Sequence, residues 1–186
     1  MTPEQFFPWL YMTRKEFIRL FDPGIPLCVL YTIAGLFILC FFYLLISVKN
    51  KRVIKLTSGL ILILYVFFII STTIIFRPEH QNRTYNLLPF WSYMAILSGE
   101  RNVFFSIFLN ILLFIPLGFY LGFFSKTISV GRIFIYGLTL SFIIEIMQFL
   151  LKRGFSEFDD VFHNSLGCLI GFGLYKIVCR KIIIKL

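Results

Sequence analysis

Long apolar runs, broken at intervals by short charged clusters, set the plan of this chain. The runs fall at residues 26–48, 56–76, 103–124, 130–151 and 161–180. Each matches the ~20 residues that a helix needs to cross a hydrocarbon core about 30 Å thick. The pattern therefore predicts an all-α fold, a polytopic transmembrane bundle of about five spanning helices. Residues 1–24 read differently, because Phe6, Phe7, Trp9, Leu10, Phe17, Ile18 and Leu20 mix with Glu4, Arg14, Lys15, Glu16 and Arg19. Such a mixture suits a segment lying in the membrane interface. Two parts follow: an N-terminal interfacial or extracytoplasmic segment at 1–24 and a single transmembrane domain at 25–186.

Composition supports this division. Of 186 residues, 59% are hydrophobic and only 15% charged, too apolar for a soluble domain to bury in one core. The net charge of +9 does not point to nucleic acid, since Lys and Arg flank the apolar runs instead of forming a basic face with interleaved aromatics. Their placement predicts orientation. Lys49, Lys51, Arg52 and Lys55, then Lys126 and Arg132, then Lys176, Arg180, Lys181 and Lys185 form acid-free clusters at alternate ends, as expected of cytoplasmic loops. Loops 77–102 and 152–160, which mix both signs, then lie outside with the N-terminus, and the C-terminus lies in the cytoplasm.

Cys28, Cys40, Cys168 and Cys179 all sit in apolar runs without C-x-x-C or paired His spacing, and read as packing residues, not disulfides or metal ligands. No metal or cofactor is expected. The first apolar run is followed by basic residues and no small-residue cleavage site, unlike a signal peptide.

Candidate chemistry lies where polar side chains interrupt the oil. At 1.5 Å per residue, Asn110 on the third run, Glu145 and Gln148 on the fourth, and Asp160 and Asn164 on the fifth all fall within roughly 10 Å of the external boundary. Ser141, Glu145, Gln148 and Lys152 share one helical stripe, and Asp160, Asn164, Gly167 and Gly171 share another. Gly118 with Gly122, and Gly167 with Gly171, have the small-residue spacing that lets helices approach closely. The facing stripes are expected to bring Glu145 and Asn164 together. A carboxylate in a spanning helix costs about 2.5–3.5 kcal/mol unless paired, hydrated or protonated. Arg153, or a water-filled pocket, is the partner expected for Glu145. Intramembrane amides also serve as interhelical glue, which stays open for Asn110, Gln148 and Asn164. Glu157 and Asp159 read as solvated loop charges, His163 as a hydrogen-bonded bystander, and Pro116 as a kink. "YNLLPFWSY", Tyr85 to Tyr93, reads either as an aromatic belt in the headgroup zone or as a re-entrant loop over the polar layer.

Three blocks resemble the VanZ-like family: "YNLLPF" at 85–90, "NILLFIPLG" at 110–118, and Glu145-x-x-Gln148 continuing through "EFDDVFHNSLGCLIG" at 157–171. The resemblance spans roughly residues 60–180. It carries over Asn86, Pro89, Phe90, Asn110, Pro116, Gly118, Glu145, Gln148, Asp160, Asn164, Gly167 and Gly171. Glu157 and Arg153 depart from the founding member's pattern. The family resemblance implies a multi-pass protein of the bacterial plasma membrane that lowers susceptibility to lipoglycopeptides such as teicoplanin by altering the cell envelope.

The favoured reading is a binding site for a lipid headgroup, a lipid-linked precursor or the antibiotic, with Arg153, Asn86, Asn110 and the other amides as donors and Glu145 and Asp160 as acceptors. Two alternatives remain. In a transporter or flippase, Glu145 would titrate. In a membrane enzyme acting on a headgroup, Glu145 and Asp160 would act as acid and base beside His163. No nucleophile elbow, H-E-x-x-H or phosphate loop accompanies these carboxylates, so binding is favoured over catalysis.

Overall fold

The computed structural model describes residues 51–183 apart from Pro78, Arg101 and Lys126. The interfacial segment expected at 1–24 and the span expected at 26–48 lie outside the described residues.

The described elements are α1 (Lys51–Ile70), continued by a π-helical turn at Ser71–Ile75, β1 (Tyr85–Asn86), α2 (Trp91–Leu97), α3 (Asn102–Phe124), α4 (Val130–Leu151), β2 (Ser156–Glu157) and α5 (Phe158–Ile183). Among the described residues, three helical stretches are long and apolar enough to cross a membrane: Leu56–Ile75, Val103–Phe124 and Val130–Leu151. These match the second, third and fourth expected runs. The fifth run is helical too, but its described part is not among these stretches. Asp159, Asp160, His163, Asn164 and Lys176 dilute its apolarity, and much of its surface is buried by α3 and α4.

The change of helix type at the end of α1 follows from "STT". Ser71 Oγ donates to the Phe67 carbonyl at 2.8 Å, Thr72 Oγ1 to Ile69 at 3.0 Å, and Thr73 Oγ1 to Ile69 at 2.7 Å. Hydroxyls that bond back to the preceding turn compete with backbone N–H groups for those carbonyls. Here the ladder widens, with Phe76 N–H reaching the Ser71 carbonyl at 2.9 Å. In α3, Pro116 removes one donor from the ladder. Nearby, the Leu113 carbonyl accepts a bond of 2.9 Å from the Tyr65 hydroxyl of α1.

α3 and α5 run parallel in backbone contact. A methyl on Gly118 would lie 1.8 Å from the Cys168 carbonyl oxygen, on Gly167 2.2 Å from that of Ile111, and on Gly171 1.8 Å from that of Ile115. Both G-x-x-x-G stripes thus meet each other, Gly122 lying under the Tyr175 ring. α4 runs antiparallel along α5, with Gly137 against Cys168. Phe114, Ile69, Ile133, Ile144 and Cys168 are buried at the centre.

At one end of the bundle the connections knit together. Tyr85 pairs with Ser156 and Asn86 with Glu157 in a parallel two-residue ladder. Thr84 Oγ1 donates to the Gly154 carbonyl at 2.8 Å, His80 N–H to that of Lys152 at 2.8 Å, and the backbones of Glu79 and Arg153 pair in an isolated antiparallel bridge. The two expected external loops are therefore one small structured unit. Lys152 closes α4 at φ 55°, and Gly154 follows at φ 78°. These left-handed residues turn the chain back toward β2.

Candidate functional site

The end of α1, the end of α4 and the start of α5 meet at this knitted pole, which brings Glu145, Gln148, Asp160 and Asn164 to one end of the bundle. Glu145 is only 6% exposed. Its Oε2 accepts the Glu157 backbone N–H at 2.8 Å, and Ser156, Glu157 and Asp160 are its polar neighbours. One turn deeper, Asn164 Nδ2 donates to Ser141 Oγ at 2.7 Å, and Ser141 Oγ lies 3.5 Å from the Asp160 carbonyl. The stripe of α4 thus faces the stripe of α5, but Asn164 is hydrogen-bonded to Ser141 instead of meeting Glu145, whose carboxylate takes the Glu157 N–H one turn away.

Arg153 does not pair with Glu145. Its Nη1 donates to the Ile75 carbonyl at 2.6 Å, while Gln148 Nε2 donates to Thr73 at 2.9 Å. Both side chains bond to carbonyls in the π-helical turn, and so tie α4 to α1. Asn86 likewise acts locally: its Oδ1 accepts the Leu88 N–H at 3.0 Å, an Asx turn. Asn110, half-buried on α3, makes no hydrogen bond to these groups among the described residues. The donors expected around Glu145 are therefore occupied elsewhere or set apart from it.

The reading of Asp159 as a solvated charge is overturned. Asp159 is 2% exposed. It accepts the Phe90 N–H at 2.7 Å, the Ser92 N–H at 3.0 Å and the Ser92 hydroxyl at 2.6 Å. These charge-assisted bonds seat α2 on the start of α5. They also explain Pro89 and Phe90: Pro89 precedes a residue at φ 63°, and the turn aims two N–H groups at one carboxylate. "YNLLPFWSY" is thus a strand, a turn and a short helix anchored over the polar pole. Spacing could not show which of two adjacent aspartates turns inward; an acid opposite a P-F-x-S turn is the signal that could have.

Glu157 is not a free loop charge either. Burial, reinforced by Asp160 and by Asp159, pushes its carboxyl from 4.5 up to about 8, against the lowering influence of the Trp91 indole and Arg77. Asp160 lies 3.8 Å from His163 Nδ1, and His163 Nε2 is 3.1 Å from the Tyr93 hydroxyl. His163 Nδ1, Asn164 Oδ1 and Gln148 Oε1 are buried without hydrogen-bond partners.

Beside Glu145 a cleft of about 400 Å³ opens on the flank of α4. Phe142, Ile146, Phe149 and Leu150 line it from α4, Tyr85 and Leu87 from the β1 segment, and Phe158 and Val161 from α5. Its polar lining consists of Glu145, Ser156, Glu157 and Tyr85, which has a hydroxyl. Grouped Asp, Glu, His and Cys side chains suited to a metal ion do not occur among the described residues.

Apolar crossing helices joined by glycine contacts, with carboxylates at one pole, define a multi-pass helical membrane protein. The chain belongs to the VanZ/LLP1 family, whose model matches residues 56–180. Over 114 residues it is 32% identical to Protein VanZ of Enterococcus faecium, across 61% of this chain and 66% of that protein, just under two thirds of the relative's length. No solved structure matches.

Proposed function

We propose that this is a cell-envelope protein that lowers susceptibility to teicoplanin-type lipoglycopeptides by binding an amphiphile at the cleft beside Glu145. The polar pole faces the exterior and the acid-free basic clusters face the cytoplasm, in accord with the excess of Lys and Arg expected on that side. Its N-terminal segment is then outside. The ligand is a lipid, a lipid-linked precursor or the antibiotic itself. One observation carries this reading: a cleft of about 400 Å³ puts Glu145 and Glu157 beside apolar side chains of a spanning helix. Ionisable groups within the membrane are functional candidates because keeping them there is costly. Small-ligand sites typically join an apolar lining to a few placed polar groups.

The test is growth inhibition of a susceptible host lacking its own homologue, with the chain expressed or absent. Expression should raise the inhibitory concentration of teicoplanin more than that of vancomycin, and Glu145→Gln should erase the difference at equal membrane abundance. Equal shifts for both drugs, or a fully active Glu145→Gln protein, would refute the role assigned to the cleft. A reporter fused after Leu186 that is active on the external face would refute the orientation.

A further inference from the structure

We infer that the cleft takes a membrane lipid bearing an ammonium headgroup, its hydrocarbon chain lying along α4. This rests on the reading of the cleft as the ligand site and names the chemistry that fits it. Every polar side chain in the lining, Tyr85, Glu145, Ser156 and Glu157, offers an acceptor oxygen, and the lining contains no cation. Nearby cations have other tasks. Arg153 donates to the Ile75 carbonyl and Lys152 Nζ to that of Gln81. Arg77 faces Glu157 from the segment after α1, outside the lining, and Arg83 stands over the Phe149 ring at 5.4 Å.

The site is also short of positive charge. Glu145, Glu157 and Asp160 are electrostatic neighbours, and close carboxylates at low dielectric repel unless one is protonated or a cation intervenes. His163 Nδ1, in a residue 2% exposed and without a hydrogen-bond partner, faces Asp160 at 3.8 Å. An ammonium has three donors and no acceptor, which complements Glu145, Ser156 and Glu157. A phosphate in the same place would meet the oxygens of two carboxyl groups and no cation.

The path into the cleft points to the bilayer. Phe142, Ile146, Phe149 and Leu150 recur at helical spacing on a spanning helix, and Phe142, Ile146 and Leu150 are exposed. Such a face contacts lipid tails, so a chain can reach it laterally while its headgroup meets the carboxylates.

The test uses the full chain in phosphatidylcholine nanodiscs and a long-chain alkylamine carrying a photoreactive diazirine on the chain. Crosslinks mapped by peptide mass spectrometry should fall on residues 142–150. Glu145→Gln with Glu157→Gln should reduce them by about tenfold, the change expected on losing charge-assisted contacts. Ile146→Trp, which fills the cleft and leaves both carboxylates, should reduce them equally. Circular dichroism and size-exclusion profiles verify that the variants fold. Ethylamine should not compete at concentrations where the long-chain amine does. Equal labelling by an alkyl phosphate with the same chain, or labelling unchanged in the double variant, would overturn the ammonium assignment. Competition by ethylamine as strong as by the long-chain amine would replace the lipid with a soluble amine. If labelling fails while Glu145→Gln still abolishes teicoplanin protection, this inference falls and the proposed function stands. Labelling as expected with no change in susceptibility gives the reverse.

Discussion

Gly171→Ala tests the packing on which the whole pole depends. The added methyl would lie 1.8 Å from the Ile115 carbonyl oxygen and 3.0 Å from the Phe119 nitrogen. A carbon and a carbonyl oxygen rest no closer than about 3.3 Å, so α3 and α5 must part by roughly 1.5 Å. Both obstacles are helix backbone, which cannot swing aside as a side chain does. Overpacking typically costs about 1–3 kcal/mol, and the upper half of that range applies because Gly118 and Gly167 make their close contacts in the same seam. Gly173, two residues along α5, is the control: a methyl there meets nothing within 4 Å, and Gly→Ala in a helix interior is stabilising by about 0.5–1 kcal/mol. Equilibrium unfolding in mixed micelles, followed by circular dichroism, should therefore separate the two variants by about 3 kcal/mol. If Gly171→Ala and Gly173→Ala unfold together, backbone contact between α3 and α5 is not what holds the seam.

Other consequences follow from the polar pole. Asp159→Ala removes the acceptor for Phe90 N–H, Ser92 N–H and the Ser92 hydroxyl; with hydrogen bonds to a charged group worth about 1.5–3 kcal/mol, α2 should come off its seat. The measurement is faster amide exchange across Trp91–Leu97, and exchange as slow as in the parent would refute the clamp. For Glu157 the folded carboxyl titrates near 8 against an ordinary 4.5, so between these values the folded state holds the proton more tightly than the unfolded state. Stability then declines as pH rises through that window and levels off above it. Unfolding in micelles at pH 5 and pH 8.5 should show this loss, and Glu157→Gln should flatten it; an unchanged slope in the variant would assign the effect to another group.

The sequence by itself determined the long apolar helices at 56–76, 103–124 and 130–151 and the use of Gly118, Gly167 and Gly171 as contact points. These properties depend on apolar length, helical rise and side-chain size, all of which can be read along a single strand of chain. Tertiary structure decided which partner each polar group has. Arg153 lies close to Glu145 in sequence, yet the π-helical turn of α1 offers it the Ile75 carbonyl. Asp159 and Asp160 are adjacent and chemically alike, but only Asp159 meets the turn before α2, 67 residues away. Hydrogen-bond pairing depends on atoms brought within about 3 Å of each other, and residues so far apart reach that distance only when the helices pack.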